Sequence, residues 1–173
     1  MKNVANAKVL RKEMSALCDL SSRHVARVYD LIVSNKGRAA LIQEHVPGPD
    51  LKDYITDLHT ADEYFKALWQ LACGLEDIHA QNQVHRDIKP SNIKFDGEGI
   101  LKILDFGLVS QLPADDETVD ARGTRYYLAP ELYESPPIKV TPAIDVYAYG
   151  VTAWYLLGAG NLPKALNGAC QQL

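Results

Sequence analysis

Three side chains in the middle of this sequence carry oxygen atoms of the kind that bind hard metal ions. Asp87 and Asn92 are five residues apart in one polar segment, so both can face the same cavity, and Asp105 follows an apolar run. Carboxylate and amide oxygens are ligands that suit Mg²⁺. Each residue alone has a plainer interpretation, since a loop aspartate is usually solvated, a strand-end aspartate often caps a turn, and asparagine forms turns. The chemistry therefore depends on a larger pattern.

That larger pattern consists of short segments in a fixed order. Residues 85–92 read H-R-D-I-K-P-S-N, residues 105–107 read D-F-G, and residues 129–131 read A-P-E, preceded by G-T at residues 123–124. A single tripeptide is a weak signal, but three in this order, each in its expected structural context, form a specific one. On these segments the chain resembles the eukaryotic-type (Hanks-type) serine/threonine protein kinase domain.

The resemblance implies a catalytic role for several residues in the transfer of a γ-phosphoryl group from Mg-ATP to a protein hydroxyl. Asp87 would accept or orient the proton of the substrate hydroxyl. Asn92 and Asp105 would hold magnesium ions, with Asp105 at the metal that bridges the β- and γ-phosphates. Lys89 would neutralise charge on the moving phosphoryl group, and Lys89 together with Thr124 is typical of serine/threonine kinases. The implied cofactors are ATP and Mg²⁺, and the implied substrate is a protein.

Three further residues resemble nucleotide-binding positions of the same family. Glu13 lies on the apolar side of a helix predicted over residues 5–20, where it resembles a glutamate that pairs with a strand lysine. The backbone at Glu44 and Val46 would read the adenine edge, with Gln43 guarding the pocket behind it. Alternatives remain open, because Glu13 could be an edge residue that reaches solvent and the segment around Glu44 could be a plain buried strand.

Residues 105–131 resemble the activation segment of a kinase. This loop holds Ser110 and Thr118, and a phosphate on Thr118 could pair with Arg86 and order the loop. The acids around Thr118 are equally compatible with a solvated surface run. Asp145 resembles the aspartate that braces the backbone before the catalytic residue, although an acid at a helix N-terminus is also favourable by itself.

Hydrophobic periodicity and turn residues predict the elements that must position these side chains. The predicted elements are strands over 24–33 and 39–45, a long helix after Thr60, a hairpin of residues 93–95 and 100–104, an irregular loop over 108–128 and an apolar helix over 141–157. The long helix begins at a capping box of Thr60 and Glu63. Its predicted apolar face consists of Phe65, Leu68, Leu71, Leu75 and Ile78. The last helix is predicted to open with Thr141 as N-cap and Pro142 in its first turn.

The fold class that follows is α+β and protein-kinase-like. An incomplete N-lobe of one helix and a β-hairpin is expected over residues 1–46, and a mainly helical partial C-lobe over residues 47–173, with a hinge at residues 44–48. The catalytic loop, the metal-binding segment, the activation segment and the core helix all fall in the second part.

The resemblance covers the middle of a kinase domain, which we interpret as truncated at both ends. No G-x-G-x-x-G occurs in the sequence, and Lys8 lies only five residues before Glu13, too near to sit on a separate strand that faces the helix. We therefore expect weak nucleotide affinity and little activity from the chain alone. A partner chain or self-association could complete the fold.

Composition excludes several other classes of function. The net charge of −4 offers no broad basic surface, so we expect neither a nucleic-acid nor a membrane partner. Three cysteines far apart form no disulfide framework, which favours a reducing, cytoplasmic location. Two alternatives remain: a catalytically inactive, pseudokinase-like binding module or gene remnant, and a kinase of small molecules, against which Lys89 and the A-P-E segment argue.

Overall fold

The computed structural model describes residues 18–33, 39–55, 60–112, 123–133 and 139–162. Within these ranges the chain forms three α-helices, α1 (Leu51–Tyr54), α2 (Ala61–Ala80) and α3 (Ala143–Leu157). Its six strands there are β1 (Val28–Val33), β2 (Ala39–Gln43), β3 (Gln83–Val84), β4 (Ile93–Phe95), β5 (Leu101–Ile103) and β6 (Ser110–Gln111). The strands form three antiparallel pairs, β1–β2, β3–β6 and β4–β5. This mixture of helices and local antiparallel pairs confirms the α+β class.

The first hairpin is confirmed, with shorter strands than the sequence predicts. β1 and β2 pair Val28 with Gln43 and Ile32 with Ala40, and the register shifts between Val28 and Asp30. Such an irregularity bends a strand and increases its local twist. Residues 24–26, a little before β1, approach β5 instead, and the Ala26 backbone N–H donates to the Ile103 carbonyl of that strand at 2.9 Å.

Two predicted features lie wholly or mostly outside the described residues. Of the helix predicted over residues 5–20, only Cys18 and Asp19 are described as helical, so the placement of Glu13 stays a prediction. Residues 34–38, which join the first two predicted strands, also lie outside the described ranges.

Helix α2 begins at the predicted capping box. Thr60 Oγ1 accepts a hydrogen bond from the Glu63 backbone N–H at 3.3 Å, and Glu63 Oε2 accepts one from the Thr60 backbone N–H at 2.9 Å. These bonds satisfy donors that the start of a helix would otherwise leave unpaired. They fix the beginning of the long helix that leads towards residues 85–92.

The predicted apolar face of α2 is wrong at Phe65, whose side chain is 63% exposed. With 3.6 residues per turn, Tyr64 points about 20° from the direction of Leu71, whereas Phe65 points about 120° from it. Tyr64 therefore packs against the core in the place predicted for Phe65. The buried members of the predicted face are Leu68, Leu71, Leu75 and Ile78.

The second hairpin, β4–β5, is confirmed, and its turn is built around Asp96. Asp96 Oδ1 accepts hydrogen bonds from the backbone N–H groups of Glu98 and Ile100, both at 2.9 Å. Gly99 has a φ of 74°, which a residue without a β-carbon adopts at little cost. The hairpin holds residues 85–92 on one side and Asp105 on the other, because these segments directly precede and follow its two strands.

The loop predicted to be irregular over residues 108–128 contains a short strand. Ser110 lies opposite Val84 and Gln111 lies opposite Gln83 in the β3–β6 pair. The sequence prediction missed this pair because two-residue strands are too short to show a period. Residues 125–127 form a 3₁₀ turn, and residues 113–122 lie outside the described ranges.

Helix α3 begins at Ala143, one residue later than it would with Thr141 as N-cap. Pro142 occupies the cap position, and no side-chain hydrogen bond caps this helix. The Thr141 and Pro142 carbonyls instead accept from the Ile144 and Val146 backbone N–H groups, both at 3.2 Å. The predicted hydroxyl cap is therefore wrong, while the predicted end at Leu157 is correct.

The core lies where α2 crosses the β4–β5 hairpin and α3. Leu71, Ile78, Ile93 and Ile103 are completely buried in the larger of two apolar clusters. The smaller cluster surrounds Ile144 at the start of α3. On α3, the large apolar side chains of Val146, Trp154 and Leu157 remain exposed. No helix within the described ranges combines the length and the apolar character needed to span a bilayer.

Candidate active site

Asp145, in the first turn of α3, fixes the backbone that precedes Asp87. Its side chain is completely buried, and its two carboxylate oxygens accept hydrogen bonds from the backbone N–H groups of His85 and Arg86, both at 2.8 Å. Arg86 has a φ of 69°, in the left-handed region that costs a non-glycine residue roughly 1–2 kcal/mol. Charge-assisted bonds of this kind hold such a strained conformation in place. The bracing geometry predicted for Asp145 is confirmed.

The carboxylate of Asp87 accepts hydrogen bonds from three side chains. Lys89 Nζ donates to Oδ2 at 2.7 Å, and Asn92 Nδ2 donates to the same oxygen at 3.0 Å. Thr124 Oγ1 donates to the other oxygen, Oδ1, at 3.0 Å. The structure thus brings together the four residues that the sequence groups as catalytic.

Lys89 and Thr124 also contact each other, which closes a ring of hydrogen bonds. Lys89 Nζ donates to Thr124 Oγ1 at 2.7 Å. Because that oxygen accepts from Lys89, its own proton is directed to Asp87. Asp87 is only 9% exposed, so the ring holds a nearly buried carboxylate in one orientation.

Asp105 is placed beside this cluster by its neighbour Leu104. The Leu104 backbone N–H donates to the Asn92 carbonyl at 2.8 Å, which ties the two segments together. Asp105 itself is exposed and has a φ of 63°, a conformation that aspartate tolerates better than most residues. Asp105 Oδ1 accepts from the Gly107 backbone N–H at 3.3 Å, which turns the chain directly after the carboxylate.

His85 is a buried histidine that supports the same segments. Its Nδ1 accepts from the Asp87 backbone N–H at 3.3 Å and its Nε2 lies 3.0 Å from the Leu104 carbonyl, so Nε2 carries the proton and donates. The ring packs edge-on against Phe106, with the centroids 5.1 Å apart. Burial lowers the pKa of His85, although the carboxylate of Asp145 opposes that shift. These contacts make His85 a neutral ring that connects the segment of Asp87 to the segment of Leu104 and Phe106.

This arrangement agrees with a comparison against known families, in which the model described as the protein kinase domain matches residues 1–169. The chain belongs to the protein kinase family. The match covers nearly all of the sequence and confirms the resemblance inferred from residues 85–92 and 105–107. Members of this family act on protein substrates and generally use ATP and Mg²⁺.

Individual relatives are also kinases. The chain is 33% identical over 158 residues to the maternal embryonic leucine zipper kinase of Xenopus tropicalis and 34% identical over 158 residues to that of Xenopus laevis. It is 31% identical over 166 residues to the serine/threonine-protein kinase ppk34 of Schizosaccharomyces pombe. These alignments include 89%, 89% and 92% of this chain but only 24%, 24% and 46% of the relatives. The chain thus spans less than half the length of the curated relatives it matches.

In this kinase domain, the Glu44 side chain anchors the segment expected to be the hinge. Glu44 Oε2 accepts from the Arg27 backbone N–H at 3.0 Å, and Lys102 Nζ lies 3.1 Å from Oε1. The Glu44 backbone N–H donates to the Arg27 carbonyl at 2.7 Å, so an adenine at Glu44 would have to be read by the Glu44 carbonyl oxygen. The Val46 side chain is buried, and the reading of adenine by its backbone stays a prediction.

Gly48 explains how the chain leaves this segment. A β-carbon at position 48 would lie 1.9 Å from the Phe95 carbonyl oxygen, a distance that only glycine avoids. Next to it, the Phe95 backbone N–H donates to the Pro49 carbonyl at 3.1 Å. The close approach holds the segment after Val46 against β4, the strand that begins directly after Asn92.

The activation segment contacts Arg86 through a residue other than Thr118. Arg86 Nη1 donates to Ser110 Oγ at 3.0 Å, and Ser110 is buried in β6. Thr118 lies outside the described residues, so its pairing with Arg86 stays a prediction. The observed bond holds the Arg86 side chain beside the start of the segment.

The donor set fits magnesium without forming a complete protein cage. Nowhere in the described ranges do three His, Cys, Asp or Glu side chains converge in a way that could hold a metal ion. Mg²⁺ usually takes one or two protein oxygens and completes its octahedron with water and substrate phosphates. The amide oxygen of Asn92 and the carboxylate of Asp105 match that smaller requirement.

Two supporting residues were missed by sequence reasoning. His79 Nε2 donates to Asp145 Oδ2 at 2.9 Å, and Lys102 pairs with Glu44. A histidine in the last turn of a helix is favourable for the helix dipole, so the sequence position of His79 gave no separate signal. The alternation of Leu101, Lys102 and Ile103 does indicate that Lys102 faces away from the core, but not that it reaches Glu44.

Proposed function

We propose that this chain supplies the catalytic part of a serine/threonine protein kinase, which transfers the γ-phosphoryl group of Mg-ATP to a hydroxyl group of a protein. The observation that carries the proposal is the ring of hydrogen bonds around Asp87. Lys89, Asn92 and Thr124 come from two separate segments and meet at this one carboxylate. A solvated loop aspartate would not need three ordered side-chain donors.

Asp87 would orient the hydroxyl of the substrate and accept its proton. Its Oδ1 has a single side-chain donor, Thr124, whereas Oδ2 is shared by Lys89 and Asn92. A carboxylate oxygen can accept more than one hydrogen bond, so Oδ1 has the capacity for an incoming hydroxyl. General base assistance of this kind typically contributes about 10²–10⁴-fold to a rate.

Lys89 would stabilise negative charge on the group in transfer. Its ammonium carries three donors, of which two are directed to Asp87 and Thr124. A fixed cation beside the reacting hydroxyl favours the transition state without a covalent step, which is how phosphoryl transfer is mostly catalysed. Thr124 would keep both Lys89 and Asp87 in position through its single hydroxyl.

Asn92 and Asp105 would hold magnesium, which neutralises charge on the nucleotide phosphates when it is bound. The support for this pair is their connection through the Leu104 backbone N–H, which bonds to the Asn92 carbonyl. Glu44 and Val46 would receive the adenine, and Glu13 would pair with a strand lysine that contacts the phosphates of the same nucleotide. Under this proposal residues 1–46 belong to the N-lobe and residues 47–173 to the C-lobe.

The experiment is phosphoryl transfer from radiolabelled ATP to a generic protein substrate. Asp87→Asn should lower the rate by about 10²-fold or more, because asparagine cannot accept the proton. The matched control is Asp62→Asn, which removes an exposed carboxylate on the first turn of α2. An equal rate in the original chain and in Asp87→Asn would overturn the role of Asp87. If the original chain transfers no phosphate although it and Asp87→Asn both fold, the result would favour a non-catalytic binding module.

A further inference from the structure

Strand β6 brings the start of the activation segment against the residues that precede Asp87. Its two residues pair with β3, with Ser110 opposite Val84 and Gln111 opposite Gln83. Because β3 ends directly before the catalytic loop, the pairing sets the two segments side by side. Strand pairs this short are not stable by themselves, so the side chains of β6 must help to hold it in place.

The side chain of Gln111 anchors β6 to the end of α2. Its Nε2 donates to the carbonyl oxygens of Gln81 and Asn82, both at 3.2 Å. The Leu112 backbone N–H donates to the same Asn82 carbonyl at 2.7 Å. Carbonyl groups at the end of a helix lack partners within the helix, and these bonds supply them. This part of the attachment joins β6 to the helix end rather than to the catalytic loop.

The side chain of Ser110 reaches the catalytic loop itself. Ser110 Oγ accepts a hydrogen bond from Arg86 Nη1 at 3.0 Å, and the serine is only 9% exposed. A hydrogen bond from a charged donor is stronger than one between neutral groups, and a low local dielectric strengthens it further. The acceptor is a hydroxyl of the chain itself, so this bond forms without any modification of the activation segment.

Arg86 is therefore held both through its backbone and through its side chain. Its backbone N–H donates to Asp145 Oδ1 at 2.8 Å, while its guanidinium donates to Ser110. The φ of 69° at Arg86 lies in the left-handed region, which a residue with a β-carbon keeps only where the surrounding contacts enforce it. Asp87 follows directly, so the two contacts on Arg86 position the backbone that carries the Asp87 carboxylate.

Ser110 also lies at the end of the turn that begins at Asp105. Within this turn Phe106 is buried, and its ring packs edge-on against His85 with the centroids 5.1 Å apart. The segment that carries Asp105 is thus attached to the catalytic loop at two points. The packing of Phe106 is the first, and the bond between Ser110 and Arg86 is the second.

We propose that Ser110 is a positioning residue of the phosphoryl-transfer centre. Through Arg86 it holds the Asp87 carboxylate, the proposed base, in place relative to Asp105, the proposed magnesium ligand. The effect on transfer rests on the proposed function, whereas the effect of Ser110 on the conformation of the catalytic loop does not. Misplacement by about 1 Å can lower a rate by about 10²-fold, so the loss of one of two attachments should lower it by about tenfold.

The kinetic test compares Ser110→Ala with Ser110→Thr in phosphoryl transfer from radiolabelled ATP. Alanine removes the acceptor, so the maximal rate should fall by about tenfold. The Mg²⁺ concentration for half-maximal rate should rise by about two- to fivefold, less than the loss of a direct partner of a metal ligand causes. Threonine keeps the hydroxyl and suits a strand, so it should restore both values. A mere loss of folded protein would lower the rate equally at every Mg²⁺ concentration.

Gln111→Ala is the matched control in the neighbouring residue of β6. It removes the side-chain bonds to the end of α2 and should lower the free energy of unfolding, but it should leave the maximal rate and the Mg²⁺ dependence unchanged. A double-mutant cycle tests whether Ser110 acts through Arg86. In an Arg86→Ala background, Ser110→Ala should lower the rate no further, because the hydroxyl then has no guanidinium to hold.

NMR of the ¹⁵N-labelled full chain, without nucleotide or Mg²⁺, tests the positioning directly. Ser110→Ala should shift the backbone amides of Arg86, Asp87 and Gly107, and Ser110→Thr should shift them much less. Unchanged amides at Arg86 and Asp87, a rate that threonine does not restore, or equal losses of rate in Ser110→Ala and Gln111→Ala would overturn the role of Ser110. If the original chain transfers no phosphate, the proposed function fails, and the amide shifts still decide whether Ser110 positions the catalytic loop.

Discussion

The hydroxyl of Thr124 donates to Oδ1 of Asp87 at 3.0 Å, although 37 residues separate them in sequence. The same hydroxyl accepts from Lys89 at 2.7 Å. One side chain of the activation segment therefore positions both the proposed base and the proposed cation. The contact couples the position of that segment to the geometry of the catalytic loop.

Replacing Thr124 with valine should disable the site while keeping its shape. Valine removes the hydroxyl, so Lys89 and Asp87 each lose a hydrogen-bond partner, and transfer should fall by about 10²-fold. The loss of free energy of unfolding should be about 1–2 kcal/mol, as for a partly buried hydrogen bond. Thr124→Ser keeps the hydroxyl and should retain most of the rate. Comparable rates for the valine and serine variants would show that the hydroxyl is not needed.

Replacing Asp145 with alanine should lower the free energy of unfolding far more than replacing an exposed carboxylate does. The change leaves the His85 and Arg86 backbone N–H groups and His79 Nε2 without their acceptor in a buried site. We expect a loss of about 3–5 kcal/mol in the free energy of unfolding, the usual cost of breaking a buried charged network. Urea denaturation measures it, with Asp62→Asn as the control. A loss below about 1 kcal/mol would show that Asp145 does not brace this backbone.

The pH dependence of unfolding should contain a contribution from His85, because burial holds the pKa of this ring below its ordinary value. In the unfolded chain the ring has a pKa of about 6.5 and takes up a proton first as the pH falls. The stabilisation is therefore complete above the unfolded-state pKa and is lost as the pH falls towards the lower folded-state pKa. Urea unfolding across this range should show the loss, and His85→Gln should show less of it. The same pH dependence in both proteins would contradict the assignment.

The pair of Glu44 and Lys102 should stabilise the segment expected to be the hinge by a small amount. Both side chains are partly buried, and their charged atoms lie 3.1 Å apart. A double-mutant cycle with Glu44→Gln and Lys102→Met should give a coupling energy of about 0.5–1 kcal/mol in the free energy of unfolding. The coupling should decrease at high salt because exposed parts of the pair are screened. Additive effects of the two substitutions would mean that the pair does not act as a unit.

Local sequence signals predicted the elements that depend on neighbouring residues. The capping box of Thr60 and Glu63 and the turn around Asp96 are both made by bonds within four residues, and both are confirmed. Phe65 was misassigned although the helical period separates it from Tyr64, because Tyr64 lies about 20° and Phe65 about 120° from the direction of Leu71. The hydroxyl cap at Thr141 was wrong because Pro142 takes the cap position itself.

The contacts that build the site are long-range, and the sequence revealed them only through family resemblance. Asp145 meets His85 across 60 residues and Thr124 meets Asp87 across 37 residues. Hydrophobic periods and turn signals report only on residues that are close in sequence. The partners of these contacts were therefore indicated by the family motifs alone. His79 belongs to no motif quoted from the sequence and was therefore missed. Contacts of this kind become visible only when the chain is folded.

Magnesium-dependent binding of ATP to this chain is the measurement that tests the central claim most directly. Isothermal titration calorimetry at millimolar ATP should detect saturable binding in the presence of Mg²⁺. Asp105→Asn removes a charged magnesium ligand and should weaken that binding by about tenfold or more, whereas Asp62→Asn should not change it. No magnesium-dependent binding at millimolar ATP, or equal binding by the original chain and Asp105→Asn, would contradict a phosphoryl-transfer centre built from Asp87, Asn92 and Asp105.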